Sequence, residues 1–148
     1  MRDTNEMELV FDSISVNEGF ARVAVAAFMT QLNPTLEEVA DVKTAVSEAV
    51  TNAIIHGYEK KVEKIRIHCH LKEQVIYIEV QDYGKGIENV KQAMEPMYTS
   101  KPELERSGMG FSFMEAFMDS LTVESEPGKG TKVTMTKSLG TDTSIYGE

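Results

Sequence analysis

Two alternating apolar runs constrain the fold of this chain most strongly. Every second residue is apolar in 65–71 (IRIHCHL) and again in 76–80 (IYIEV). Successive side chains of a strand point to opposite faces, so each run predicts a strand with one buried face. The polar residues 72–74 (KEQ) between the runs predict a β-hairpin. A sheet of this kind needs a covering layer on its apolar face only.

Two helices are predicted before this hairpin. Asn17 is a candidate cap for the first helix, whose apolar residues recur at helical spacing up to Leu32. The second helix begins after Thr35, which with Glu38 forms a capping-box pattern. We expect it to end at Gly57, a residue suited to a left-handed position after a helix.

The remaining segments complete an α+β pattern. Strands are predicted at 7–14, 121–125 and 131–138, and helices at 90–94 and 108–119. The order predicts a two-layer α/β sandwich with a mostly antiparallel sheet and helices on one face. Residues 1–148 are expected to form a single domain, with a lid at about 87–107 and a frayed tail at about 140–148.

Composition excludes several classes of protein. The chain has 148 residues and a formal net charge of -9, which disfavours direct nucleic-acid binding because phosphate contacts need a basic surface. A single cysteine, Cys69, excludes an internal disulfide. There is no apolar run of membrane-spanning length and no signal-peptide pattern near Met1. We therefore expect a cytoplasmic protein that does not bind a membrane.

The second predicted helix carries a polar pair. Glu48 and Asn52 lie four residues apart, so their side chains share one face beside the apolar stripe. A solvent-exposed polar pair is the simplest interpretation. The functional interpretation makes Asn52 a neutral oxygen ligand for Mg²⁺ and makes Glu48 a group that orients or deprotonates a nucleophile.

Two glycine-containing segments suggest a nucleotide site. Asp82-Tyr-Gly84-Lys-Gly86 follows a strand; as an alternative to an ordinary turn, its glycines let the backbone approach a flat base and its carboxylate can accept from the amine of adenine. In 106–111 (RSGMGF), Gly108 and Gly110 precede helical periodicity and could expose amides to phosphate. Arg106 and Lys101 could reach the terminal phosphates or could be solvated surface charges.

Together these segments resemble the GHKL ATPase superfamily, whose domains have the Bergerat fold. SEAVTNA at 47–53 is similar to its N box, Asp82-x-Gly84-x-Gly86 to its G1 box, Gly108-x-Gly110 to its G2 box, and 128–131 (GKGT) to its final Gly-Thr element. Residues 46–58 and 99–111 resemble the small bacterial anti-sigma serine kinases in particular. The resemblance extends over nearly the whole chain.

The resemblance implies a role for each matched residue. Glu48 would be the catalytic base, and Arg106 would act on the phosphates. Asn52 would bind Mg²⁺, Asp82 would read adenine, and Thr131 would support the base. The nucleotide, ATP or ADP, would be bound by the following matched positions: Asn52, Asp82, Gly84, Gly86, Thr99, Lys101, Ser107, Gly108, Met109, Gly110 and Thr131.

The resemblance also implies partners. It suggests a homodimer that inhibits the sporulation sigma factor F and uses ATP to phosphorylate a serine of an anti-anti-sigma protein with a STAS domain. Three alternatives stay open: a kinase of the general stress-response sigma system, a non-catalytic module whose nucleotide tunes sigma binding, and a detached histidine-kinase domain. His56, one turn after Asn52, is expected to have a structural role near a helix C-terminus.

Overall fold

A five-stranded antiparallel sheet forms one layer of the molecule. The computed structural model describes residues 4–59, 61–94 and 110–140. The strands are β1 (Thr4–Asp12), β2 (Lys64–Lys72), β3 (Val75–Asp82), β4 (Ser120–Glu126) and β5 (Gly130–Ser138), in the spatial order β1-β2-β3-β5-β4. All neighbouring strands are antiparallel. The predicted α+β two-layer sandwich is confirmed.

Helices form the second layer. They are α1 (Val16–Met29), α2 (Leu36–Asn52), α3 (Val90–Ala93) and α4 (Gly110–Phe117), with a 3₁₀ turn at Thr30–Leu32 and a π-helical turn at Ala53–Gly57. Helix α2 packs against both α1 and α4. Within the described ranges, the helices are too short or too polar to span a lipid bilayer.

The alternation in the central hairpin matches the burial of its side chains. Ile65, Ile67, Ile76 and Ile78 are fully buried under the helices, whereas His68 and its neighbours on the other face are partly exposed. The turn pairs Lys72 with Val75, and its two central residues have positive φ of 51° and 65°. These are the angles of a two-residue hairpin turn whose twist suits the flanking strands.

The helix ends differ in part from the expectations. The capping box of Thr35 and Glu38 is present. The prediction that Asn17 caps α1 is wrong: α1 begins at Val16 after Ser15, and the Asn17 amide donates to the Asp12 carbonyl at 2.9 Å. Strand β1 correspondingly ends at Asp12, two residues earlier than predicted.

Gly57 also has a different role from the one predicted. It is the last residue of the π-helical turn and does not have positive φ; Glu59 has a φ of 57° instead. A methyl group on Gly57 would lie 2.7 Å from Cγ of Asp82. The absence of a side chain therefore serves close packing against β3 instead of a left-handed helix end.

Candidate functional site

An open cavity of about 430 Å³ lies between the two layers at the end of β3. Its walls come from α2 and the π-helical turn, the end of β3, the segment before α3, the start of α4, and β5. The lining includes these residues: Ala49, Asn52, His56, Gly57, Asp82, Lys85, Gly86, Ile87, Asn89, Gln92, Gly110, Phe111, Pro127 and Thr131. Segments far apart in the chain thus meet at one site.

Asn52 lines this cavity and carries an unsatisfied side-chain oxygen. Its Oδ1 is buried and has no hydrogen-bond partner in the part of the chain that the structure describes. A buried polar atom without a partner costs about 1–3 kcal/mol, so such an atom in a cavity wall points to a missing ligand. A neutral amide oxygen suits a hard cation such as Mg²⁺, which takes few protein ligands and retains waters.

The helix changes its geometry directly after Asn52. The π-helical turn at Ala53–Gly57 widens the helix by one residue in its final turn. Such turns are rare and frequently occur at functional sites. Here the turn brings Gly57 against the Asp82 carboxylate, so the wall that carries Asn52 continues to the end of β3.

Asp82 is a buried carboxyl group in the cavity wall, at the end of β3. Only 5% of it is exposed, and its Oδ1 accepts from the Gly84 N–H at 2.9 Å. Burial raises the pKa of Asp82 to about 6, while hydrogen bonds from the backbone N–H groups of Gly84 and Thr131 act in the lowering direction. The carboxylate is ionised at neutral pH and can accept a further hydrogen bond.

The loop after Asp82 is held from both sides by other backbone segments. On one side, the Lys85 N–H donates to the Gly57 carbonyl at 3.0 Å. On the other, the Lys85 carbonyl accepts from the Gly128 N–H at 2.7 Å. A side chain on Gly84 would collide with the Gly57 carbonyl, and one on Gly86 with the Glu126 carbonyl.

These contacts give the two glycines a physical reason that differs from the expected one. They are required because the protein's own carbonyl groups approach the loop closely, whatever the cavity binds. Gly86 lines the cavity and Gly84 does not. Contact of Gly86 with a base therefore stays a prediction.

Thr131 belongs to a hydroxyl pair. Its Oγ1 lies 2.8 Å from Oγ of Ser125, which accepts from the Ile87 N–H at 2.7 Å and donates to the Gly130 carbonyl at 3.0 Å. Thr131 also pairs with Asp82 across β3 and β5. The pair connects the end of β4 and the start of β5 to Ile87, the first residue of the predicted lid.

The other sequence-predicted residues are placed as follows. Gly110 is the buried first residue of α4 and lines the cavity. Glu48 is partly buried on α2, one turn before Asn52, and is not part of the lining formed by the described residues. The predictions for Thr99, Lys101, Arg106, Ser107, Gly108 and Met109 lie outside the described residues, as does the lid from 95 onward.

Sequence reasoning missed several residues of the site. His56, expected to be structural, lines the cavity, and so does Lys85. The spacing of four residues between Asn52 and His56 was a usable signal, because it places both side chains on one helix face. The contact of Ser125 with the Ile87 N–H gave no local signal, because the two residues are 38 positions apart.

The fold and cavity match a known class of protein. The family model of the histidine kinase-like ATPase domain matches residues 14–137. The chain therefore belongs to the histidine kinase-like ATPase family, in which an ATPase domain implies a nucleotide site. Its relatives identify it further as a member of the anti-sigma F factor family.

Three of these relatives show how complete the similarity is. The anti-sigma F factor of Thermoanaerobacter sp. (strain X514) is 60% identical over 142 residues, which cover 96% of this chain and 99% of that protein. That of Clostridium acetobutylicum is 62% identical over 90% of this chain and 93% of its own length. That of Oceanobacillus iheyensis is 57% identical over 96% and 98%, respectively.

Proposed function

We propose that this protein is an anti-sigma factor that uses Mg²⁺ and ATP to phosphorylate a serine of its protein antagonist. One observation supports the nucleotide site above all: a single cavity has the unsatisfied Asn52 oxygen in one wall and the buried Asp82 carboxylate in another. The first suits a divalent cation and the second suits an amine. A magnesium complex of an adenine nucleotide has both a divalent cation and an amine.

Asp82 would select the base. Its ionised carboxylate accepts hydrogen bonds and cannot donate them, so it favours the exocyclic amine of adenine over the carbonyl at the same position of guanine. Gly57 and the Gly84 N–H hold the carboxylate in place. Binding that depends on a buried hydrogen bond discriminates strongly against a base that lacks the donor.

The start of α4 would hold the phosphates. Gly110 opens α4 there, and the N-terminal amides of a helix favour anions. Asn52 would ligate Mg²⁺, which supplies charge neutralisation of the phosphate oxygens. Arg106, Lys101 and the residues from Ser107 to Met109 are proposed to complete the phosphate contacts.

Glu48 is proposed as the base of the transfer reaction. Its carboxylate would accept the proton of the substrate serine while the serine oxygen bonds to the γ-phosphorus and the bond to the ADP oxygen breaks. The products are phosphoserine and ADP. Thr131, held by Ser125, would support this arrangement from β5.

The name of the relatives suggests the partner. Anti-sigma F factors are named for a sigma factor, so we propose that this chain binds and inhibits sporulation sigma factor F as a cytoplasmic homodimer. The antagonist substrate would be a STAS-domain protein whose phosphorylation prevents it from displacing the sigma factor.

The kinase proposal is tested with Glu48→Gln. Transfer of labelled phosphate from ATP to the STAS-domain protein is measured with Mg²⁺ and with EDTA, and ATP binding is measured separately. We expect Glu48→Gln to lose at least about 100-fold in transfer rate, within the range for a general base, while ATP still binds. Glu37→Gln, an exposed position in the first turn of the same helix, is the control and should behave as wild type.

Two results would contradict the proposal. If the wild-type protein transfers no phosphate to its STAS partner with Mg²⁺ and ATP, the chain is a non-catalytic module whose nucleotide tunes sigma binding. Equal transfer by Glu48→Gln and wild type would remove Glu48 from the role of base.

A further inference from the structure

Tyr58 connects three chain segments at the back of the base-binding end of the cavity. It follows the π-helical turn directly, and only 6% of the residue is exposed. Its hydroxyl donates to the Lys64 carbonyl at 2.5 Å and accepts from the Tyr83 N–H at 2.6 Å. Lys64 begins β2, and Tyr83 directly follows Asp82.

Both hydrogen bonds of this hydroxyl go to backbone groups. A phenol has one proton to donate, and here the Lys64 carbonyl receives it while the Tyr83 N–H occupies an acceptor site. A rigid aromatic ring thus fixes the distance between the π-helical turn and the first peptide group after Asp82. Burial raises the pKa of Tyr58 above its ordinary value, so the hydroxyl keeps its proton at neutral pH.

A second hydrogen bond attaches the loop after Asp82 to the end of the π-helical turn. The Gly57 carbonyl accepts from the Lys85 N–H at 3.0 Å, two residues beyond the Tyr83 contact. The N–H groups of Tyr83 and Lys85, the residues on either side of Gly84, are therefore bound by Tyr58 and Gly57, which are adjacent in the chain. Gly84 in turn donates to the Asp82 carboxylate, so the orientation of that carboxylate depends on where this loop lies.

We infer that Tyr58 is a positioning residue for base recognition, whose hydroxyl aligns the Asp82 carboxylate with the amine of a bound adenine. The inference rests on the proposed role of Asp82 and adds a residue that does not line the cavity. A hydrogen bond to a carboxylate depends steeply on its direction, and sites that discriminate need their groups held within a fraction of an ångström. Loss of the phenol oxygen would release the loop at Tyr83 without altering the lining.

The test compares two nucleotides that differ at one position of the base. Inosine diphosphate has a carbonyl where ADP has the amine, so the ratio of the two affinities measures recognition of that amine. Dissociation constants for ADP and inosine diphosphate, both with Mg²⁺, are measured by calorimetry on wild type and on Tyr58→Phe. We expect wild type to favour ADP by about tenfold or more, as for a charge-assisted hydrogen bond. In Tyr58→Phe the ADP affinity should fall until the ratio is within about threefold, with inosine diphosphate binding unchanged.

Tyr77→Phe is the matched control. Tyr77 is on β3, on the outer face of the sheet, where its ring stacks on His70 at a centroid distance of 4.3 Å. Loss of its hydroxyl should leave both affinities and their ratio as in wild type.

A second measurement addresses the hydrogen bond itself. Amide hydrogen exchange of Tyr83, followed by NMR on the nucleotide-free proteins, should be slow in wild type and in Tyr77→Phe and faster in Tyr58→Phe. Equal protection of this amide in Tyr58→Phe and wild type would overturn the inference even if the variant proved too unstable for calorimetry.

The ratios of ADP affinity to inosine diphosphate affinity test base recognition by Asp82 and positioning by Tyr58 separately. Equal weakening of both nucleotides in Tyr58→Phe, or no weakening of either, would overturn the positioning role and leave base reading by Asp82 intact. If wild type binds ADP and inosine diphosphate equally, base reading by Asp82 fails, and the positioning role fails with it.

Discussion

Asp82 accepts a hydrogen bond from an amine more strongly when it is ionised, yet its burial opposes ionisation. Burial raises the pKa of this carboxyl to about 6. Nucleotide binding by this protein should therefore depend on pH in a range where an exposed aspartate would be fully ionised.

The affinity for ADP is expected to be constant above about pH 7 and to fall as the pH decreases through 6, by about tenfold per unit once Asp82 is mostly protonated. Calorimetric titrations with ADP and Mg²⁺ across this range measure the effect. Asp82→Asn, which cannot titrate, should bind weakly and without this dependence. If the variant keeps the wild-type pH profile, a group other than Asp82 is responsible for it.

The pH dependence of the stability of the free protein should be opposite to that of its ADP affinity. The pKa of Asp82 is raised in the folded state, so the folded protein binds this proton more tightly than the unfolded chain. The resulting stability contribution is fully present below the ordinary value of 3.8 and is lost as the pH rises through about 6. The group thus favours folding when protonated and binding when ionised.

At the level of elements, the π-helical turn depends on a residue without a side chain. Gly57→Ala would place a methyl group 2.7 Å from Cγ of Asp82, so the Asp82 carboxyl group would have to shift. We expect a loss of about 1–3 kcal/mol in the free energy of unfolding, typical of overpacking, together with weaker ADP binding. Urea denaturation and calorimetry measure the two effects.

Gly19→Ala is the control for this substitution. Gly19 lies in α1, and a methyl group there would meet nothing within 4 Å. The change should stabilise the protein by about 0.5–1 kcal/mol, because alanine loses less backbone entropy in a helix. Gly57→Ala with wild-type stability and ADP affinity would show that the turn adapts and that close packing against Asp82 is dispensable.

Helix α4 is fixed at its far end by a lysine of β5. The Lys137 ammonium donates to the Phe117 carbonyl at 2.6 Å and lies 3.5 Å from a carboxylate oxygen of Asp41 on α2. Its side chain is only 13% exposed. Lys137 thus satisfies the last carbonyl of the helix whose first residue, Gly110, lines the cavity.

Lys137→Met is expected to lower the free energy of unfolding by about 1–3 kcal/mol, as for loss of a partly buried charged hydrogen bond that leaves Asp41 unpaired. Lys132→Met, on the outer face of β5, removes a more exposed ion pair with Glu124 at 3.7 Å. It should change the free energy of unfolding by about 0.5 kcal/mol or less. Thermal and urea unfolding of the two variants give the comparison. Equal effects of both substitutions would contradict the anchoring role.

Across the whole molecule, local patterns predicted what depends on near neighbours in sequence. The alternation around Ile67 and Ile78 predicted the hairpin, and Thr35 with Glu38 predicted the start of α2, because these signals involve residues a few positions apart. The insertion of β5 between β3 and β4 was not predicted, since pairing partners are not encoded in periodicity.

The residues of the candidate site also fall into those that local motifs predicted and those that depend on contacts remote in sequence. Asp82 and Asn52 were predicted from motifs, and both were found in one cavity. Tyr58, Ser125 and Lys137 each bind one backbone group that lies 20 to 38 residues away, a contact that no local pattern predicts. Gly57 was predicted to be important for the wrong reason, because the tertiary contact with β3 outweighs the local preference at a helix end.

The position of β5 in the sheet has a consequence for synthesis of the chain. Gly130 and Thr131 are close to its C-terminal end, and they supply the packing and the N–H group at Asp82. A nascent chain that has not yet released β5 from the ribosome has an unpaired edge on β3 and lacks this wall of the cavity. If the proposed site is correct, we expect nucleotide to bind only after β5 has been inserted between β3 and β4.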